Sequence, residues 1–233
     1  MEPSCGSFPA DRSAVDGLSA MSGVVFRHLG SGVPYGRALE LQYGLVDAIA
    51  EDRSPETVLT LEHAPVITLG RRASPDHVLL PPDRLRQLGI DVIAVDRGGD
   101  VTYHGPGQLV SYPLLRLDRR ALTPRGCLRM LEEAVIRTLA RMDIQAARQE
   151  GYTGVWTATG KICAIGIASR RWVSFHGIAL NLSPDWTHWG YIIPCGIPDR
   201  PVTSVERELG RPVTLEELLP LWREAFLEIF GSA

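Results

Sequence analysis

Lysine is almost absent from this chain: one residue of the 24 lysines and arginines, Lys161, is lysine and the other 23 are arginine. Guanidinium serves wherever a positive charge is enough, whereas an amine can shift its pKa and exchange a proton. The lone lysine is therefore either a chance surface residue or a group kept for chemistry. Cysteine is scarce too. Cys5, Cys127, Cys163 and Cys195 are widely spaced and form no CxxC pair. That disfavours a disulfide framework or a zinc site and predicts free thiols in a reducing, cytoplasmic compartment. No apolar run approaches the roughly 20 residues of a membrane span. The formal net charge of −3 lacks the basic excess of a nucleic-acid binder. Neither GxxxxGK[ST] nor GxGxxG occurs, which removes the commonest phosphate and dinucleotide loops. His28, His63, His77 and His188 show no metal-ligand spacing, so no metal is expected.

What is present is an ordinary globular composition. The 233 residues are 45% hydrophobic, with 17 prolines and 23 glycines, and a chain of this length builds a sizeable core without staples. The first 20 residues hold no apolar signal core and carry Asp11 and Asp16; residues 1–22 read as a disordered tail, with Met21 as an alternative start. From residue 23 to 233 no linker or repeat interrupts the pattern, so a single domain is expected. Strands are expected at 24–29, 57–61, 66–69, 91–95, 109–115, 154–157, 161–169 and 172–182. A helix after Pro34 carries Ala38, Leu41, Leu45 and Ile49 at three- and four-residue spacing, and a second, 124–142, aligns Leu128, Leu131, Val135, Leu139 and Met142. A short helix ends at Gly89. A last helix, 215–230, contains Pro220, expected to break or kink it. Strands alternating with helices and then a strand-rich stretch predict an α/β fold of α+β type, a mixed sheet flanked by helices, with room for a small C-terminal lobe.

Four clusters could carry chemistry. Residues 97–108, Arg97-Gly98-Gly99-Asp100-Val101-Thr102-Tyr103-His104-Gly105-Pro106-Gly107-Gln108, bracket a polar and aromatic stretch with glycines. They read equally as a wall where backbone approaches a ligand and as a plain β-hairpin. Around Thr159-Gly160-Lys161-Ile162-Cys163-Ala164-Ile165-Gly166, strand alternation puts Lys161, Cys163 and Ile165 on one face and Ile162 and Ala164 on the other. Lys161 then projects into a partly buried cleft, while Cys163 reads as a small buried hydrophobe. In Ser174-Phe175-His176-Gly177-Ile178-Ala179-Leu180-Asn181, His176 is either an acid–base group or a satisfied structural histidine. Finally, Cys195 lies between Pro194 and Pro198 and just before Gly196. Flanking prolines exclude the interior of a helix or central strand, which favours a rigid loop presenting a thiol over a core cysteine.

Together, and in this order, the clusters resemble the octanoyl-carrier-protein:protein octanoyltransferases of lipoate biosynthesis: RGG…TYHGPGQ at 97–108, the GKI strand at 160–166, SFHGIALN at 174–181 and PCG at 194–196. The resemblance spans about residues 24–230. It implies the catalytic fold shared with biotin and lipoate protein ligases, with no cofactor and no metal. It implies that Cys195 carries the acyl group as a thioester and that Lys161 lowers the thiol pKa and transfers protons. Arg97, Gly98, Gly99, Asp100, Val101, Thr102, Tyr103, His104, Ala164, Ile165, Gly166, Gly177, Ile178 and Ala179 are implied to line the substrate site, with His176 in support. The implied partners are octanoyl-acyl carrier protein as donor, and lipoyl domains of 2-oxoacid dehydrogenase complexes and the glycine cleavage H protein as acceptors; neither nucleic acid nor membrane is involved. The rival readings are an ATP-dependent lipoate or biotin ligase on the same fold, and a silent carrier-protein binder using arginine pairs such as Arg71-Arg72, Arg119-Arg120 and Arg170-Arg171. Lys161→Arg keeps the charge and removes the exchangeable proton. A loss of turnover of about a hundred-fold or more is expected in a correctly folded protein, and near-normal turnover in a transfer assay rules out the proton-transfer role.

Overall fold

The computed structural model describes residues 23–194 and 200–231; the expected N-terminal tail lies outside them. A six-stranded sheet runs in the order β1 (Val24–His28), β2 (Glu56–Leu61), β6 (Gln108–Leu114), β9 (Val173–Asn181), β8 (Lys161–Arg170) and β7 (Val155–Trp156). Only β1 and β2 are parallel; every other neighbouring pair is antiparallel. A second sheet places β3 (Val66–Leu69) between β4 (Asp91–Ala94) and β5 (Val101–His104). Helix α1 (Tyr35–Ala50) covers one face of the large sheet, against β6 and β9. On the other face α3 (Pro124–Ala140) packs on β8 and pairs with α6 (Leu215–Phe230). The short helices α2 (Pro82–Gln87), α4 (Trp186–Trp189) and α5 (Val205–Leu209) complete the chain.

Local chemistry accounts for the element boundaries. Thr123 caps α3 by accepting the Gly126 N–H at 3.0 Å, with Pro124 at the first helical position, where its missing N–H is harmless. Thr214 caps α6 in the same way, accepting from Glu217 N–H. Strand β9 is buried at all nine positions because helices cover both of its faces, so its polar residues must be satisfied internally. Ser174 shows how. Its hydroxyl donates to the Pro113 carbonyl at 2.7 Å and accepts the Leu115 N–H at 3.0 Å, bridging the ladder where proline has no donor.

Several expectations are corrected. The fully buried positions of α1 are Tyr35, Ala38, Gln42, Val46 and Ile49, with Leu41 and Leu45 partly buried against the same core. The apolar spacing did not pick out Gln42, whose Oε1 accepts the His176 N–H at 2.8 Å. β5 and β6 are no hairpin: residues 105–107 carry the chain from the small sheet into the large one. The small sheet comes from residues 66–104, and its core also takes Trp189 and Ile192 from the second half of the chain. Helix α6 runs unbroken through Pro220. Ile162 joins Cys163 and Ile165 in the core beneath α3, because the β7–β8 register shifts there and interrupts strict alternation.

The α3–α6 core rests on Trp222, fully buried, whose indole N–H donates to Ser111 Oγ at 3.1 Å and whose ring meets Phe226. Trp222→Ala is expected to lower stability by about 3–5 kcal/mol, read as a drop in the urea midpoint; an unchanged midpoint would mean that α6 does not anchor the sheet.

Candidate active site

Strand β7 covers only the first residues of β8, and beyond Cys163 the outer edge of β8 has no strand neighbour among the described residues. A cavity of about 580 Å³ opens along this edge, within the size range of small-molecule sites. One wall is the glycine-rich segment 97–102, whose Gly98 N–H donates to the Ile167 carbonyl at 3.4 Å. Gly166 permits this approach: a Cβ there would stand 2.8 Å from the Gly98 oxygen and 3.3 Å from Arg97 Cδ. Arg97 closes the turn. Its guanidinium donates to the Thr68 carbonyl at 2.8 Å and to Thr68 Oγ1 at 2.8 and 3.3 Å.

Lys161 stands at the mouth of β8, only 8% exposed and lining the cavity. Its backbone is held on both sides. Trp156 pairs with it in β7, while its N–H donates to Pro201 O at 2.9 Å and its carbonyl accepts the Thr203 N–H at 3.0 Å. Nζ lies 5.4 Å from the centroid of the Trp156 ring, close enough for a cation–π contact. Room for the side chain comes from Gly154, where a Cβ would fall 2.7 Å from Lys161 Cε and 2.5 Å from the Cys163 carbonyl oxygen. The backbone of Gly154 is pinned in turn, its N–H donating at 3.1 Å to the wholly buried carboxylate of Glu132, which Arg129 and Arg148 neutralise. The neighbouring Cys163 thiol is pushed up to about 12 by burial and is chemically inert.

At the cavity wall His104 and His176, both expected at the site, join a polar cluster whose other members, His63, Tyr35, Tyr112 and Asp96, sequence reasoning missed. His63 Nδ1–H donates to the Val33 carbonyl at 2.8 Å, leaving Nε2 to accept the Tyr112 hydroxyl at 2.6 Å. His104 Nδ1–H donates to Gln108 Oε1 at 2.7 Å. His176 adopts a left-handed φ of +57° within β9; its N–H donates to Gln42 Oε1 at 2.8 Å, Nε2–H to Asp96 Oδ1 at 2.8 Å, and Nδ1 faces the Tyr35 hydroxyl at 3.3 Å. Burial is the main cause that lowers all three histidines, His63 to about 4 and His104 well below its usual value. His104 is lowered further by the adjacent His63, and the Asp96 carboxylate partly offsets the effect at His176. Burial also raises Tyr35 to about 12. At neutral pH the three imidazoles and the tyrosine hydroxyls are therefore uncharged and offer oriented donors and acceptors.

The structure brings most of the expected residues together. Arg97, Gly98, Gly99, Asp100, Val101, Thr102, His104, Lys161, Ala164, Ile165, Gly166, His176, Gly177, Ile178 and Ala179 all line the cavity. Tyr103 does not: it points into the core of the small sheet against Trp189, and its hydroxyl is paired with His188 Nδ1 at 2.8 Å. Strand alternation across Thr102, Tyr103 and His104 was the signal that could have separated it from its neighbours. Tyr35, Tyr112, Leu128, Tyr152 and Thr153 also line the cavity. They come from distant segments and share no motif, so only the fold assembles them. Cys195 lies outside the described residues.

The comparisons follow the geometry. The fold is that of the lipoate and biotin protein ligases. A bipartite lipoate protein ligase from Thermoplasma acidophilum superposes with a TM-score of 0.67 at 18% identity, covering 90% of this chain and 84% of that one. A biotin protein ligase from Aquifex aeolicus, in complex with biotin and ATP, gives 0.52 at 15% identity over 88% and 70%. Residues 34–227 match the model of the lipoyl protein ligase A/B catalytic domain, and the chain belongs to that family. Within it, the octanoyltransferase of Koribacter versatilis is 45% identical over 205 residues, covering 85% of this chain and 81% of that protein.

Two outcomes are expected. Gly154→Ala displaces Lys161 or strains a backbone at φ +110°, and about a hundred-fold slower turnover is expected from a displacement of that size; unchanged kinetics would free Lys161 from this constraint. His63 titrates near 6.5 in the unfolded chain and near 4 when folded, so protonation opposes folding. Its contribution is fully present above pH 6.5 and is lost as pH falls toward 4, about 3 kcal/mol in the limit. In urea titrations His63→Gln should flatten the pH dependence of stability across that window; an unaltered slope would show that His63 does not titrate there.

Proposed function

We propose that this protein transfers an octanoyl or lipoyl group from acyl carrier protein to a lysine of lipoyl domains, through an acyl-thioester on Cys195. The acceptors are lipoyl domains of 2-oxoacid dehydrogenase complexes and the glycine cleavage H protein. Residues 23–233 form the catalytic unit, which acts in the cytoplasm and uses neither metal nor nucleotide. The observation that carries this reading is the position of Lys161: buried at the cavity, with its backbone laddered to Pro201 and Thr203 a few residues beyond Cys195. The name borne by relatives about 45% identical points to the same chemistry. Among the described residues no helix is long and apolar enough to cross a membrane.

The chemistry runs in two steps. The Cys195 thiolate attacks the donor thioester carbonyl, the acyl–sulfur bond to the carrier breaks, and the carrier leaves as a thiol. One thioester replaces another, so no nucleotide is needed. The neutral ε-amine of the acceptor then attacks the acyl-enzyme, forms an amide and returns the cysteine sulfur, a downhill exchange that predicts ping-pong kinetics. Lys161 does more than raise the thiolate fraction. A thiol of pKa ~8.5 is about 3% ionised at pH 7, and lowering it to ~7 raises that about 16-fold. The weaker nucleophile returns roughly a factor of five. The net gain of about three-fold leaves proton transfer and stabilisation of the developing oxyanion as the larger contributions, each of order a hundred-fold. The segments 97–104, 164–166 and 177–179, with His176, hold and shield the acyl group.

Intact-protein mass spectrometry after mixing with octanoyl-carrier protein, without ATP, tests the reading. A single octanoyl increment is expected on the wild type and not on Cys195→Ser, removable by hydroxylamine or by an acceptor domain. Transfer that appears only with free fatty acid and ATP would replace this reading with a ligase.

A further inference from the structure

The buried residues around His104 form a continuous chain of hydrogen bonds whose polarity is determined from one end. It begins at the backbone of Thr203. The Thr203 carbonyl can only accept, so Asn181 must present Nδ2–H to it, at 3.0 Å. That turns Asn181 Oδ1 toward Gln108, which must then offer Nε2–H, at 2.9 Å. Gln108 Oε1 is thereby aimed at His104, whose Nδ1 carries the hydrogen across 2.7 Å. His104 Nε2 is left bare and takes the Thr68 hydroxyl at 3.4 Å, and Thr68 Oγ1 in turn receives Arg97. No link can be reversed without setting two acceptors or two donors face to face. Thr68, His104, Gln108, Asn181 and Thr203 are all at most 6% exposed, so water cannot repair such a fault.

The far end of the chain reaches the lysine. Thr203, held by its carbonyl, donates its own N–H to the Lys161 carbonyl at 3.0 Å. We propose that Thr68, Gln108 and Asn181 are positioning residues for Lys161, linking the glycine-rich wall at Arg97 to the backbone of the lysine through hydrogen bonds of fixed direction. His104 is then a neutral connector within the chain, not a proton carrier. The inference rests on the reading of Lys161 as the proton-transfer group, and it adds what keeps that group in register with the cavity wall. Thr68 and Asn181 do not line the cavity, so their effect on the reaction runs through the chain and not through substrate contact.

The single lysine makes the test direct. Protein grown on 13C-labelled lysine gives one lysine side-chain signal, that of Lys161, whether or not the enzyme turns over. In Gln108→Glu the new carboxyl can satisfy the chain while protonated, its O–H donating to Asn181; once ionised it faces Asn181 Oδ1 with a second acceptor. Burial raises its ionisation above the ordinary glutamate value. The Lys161 signal of this variant is expected to match wild type at low pH and to shift as the carboxyl ionises, with turnover falling roughly ten- to a hundred-fold over the same range. Gln108→Met, which removes both links of the chain and the Nε2–H bond to the Tyr103 carbonyl at 3.3 Å without adding charge, is expected to displace the signal at every pH. A Lys161 signal in Gln108→Glu that follows wild type at every pH overturns the proposal, and so does a loss of turnover in a folded variant whose Lys161 signal stays put. Failure of the wild type to form an octanoyl adduct is a separate result. It would remove the transferase reading and leave the coupling between Gln108 and Lys161 to be read from the signal alone.

Discussion

The cavity depends on a strand that has no solvent on either side. β9 sits between β6 and β8, with helices over both faces, and every residue in it is buried. A strand in that position must satisfy each polar atom within the protein, and β9 carries Ser174, His176 and Asn181. Each has a partner in another part of the site: Ser174 repairs the ladder at Pro113, His176 ties β9 to α1 through Gln42, and Asn181 grips Thr203. The left-handed backbone at His176 is unfavourable by of order 1–3 kcal/mol for a residue with a side chain. It persists because its N–H, both ring nitrogens and the close packing at Gly177 all hold it in place. The rigid part of the site is thus built around the strand that can least afford to move.

The electrostatics of the wall follow from the same burial. His63 and His104 have ring centroids 5.8 Å apart, and two imidazolium ions so close in a dry setting would repel strongly. Desolvation keeps them neutral. Formal charge at the cavity sits on Arg72, Arg97, Asp100 and Lys161. Arg97 is locked onto Thr68, Asp100 lies 2.7 Å from His77 Nδ1, and Lys161 stands against Trp156.

Much of the fold was legible because its elements are long and strongly patterned. α1, α3, α6, β8 and β9 stand close to where periodicity and capping residues put them. What periodicity misjudged was how elements face one another. On α1 the apolar spacing found the side that packs on the core but treated the buried Gln42 as surface. At residues 105–107 a glycine turn looks the same whether the chain doubles back or crosses to another sheet. The site was legible where a motif is local, as in the glycine-rich wall and the lysine strand. It was illegible where side chains from Tyr35, His63, Tyr112 and Asp96 converge, since sequence distance hides such contacts. Tyr103 shows the opposite error, a motif residue turned away from the cavity by the two-residue repeat of its strand.

The scarcity of lysine has a consequence for the protein's own surface. An acyl-thioester is a reagent for amines, and an enzyme that held one beside its own exposed lysines would compete with its acceptor for the product. Here the basic side chains on the surface are guanidinium groups, protonated throughout the physiological range and poor acyl acceptors. The one ε-amine is sequestered at 8% exposure. A thioester of the kind proposed on Cys195 would therefore meet no exposed lysine of its own chain, a form of self-protection that follows from the choice of cation.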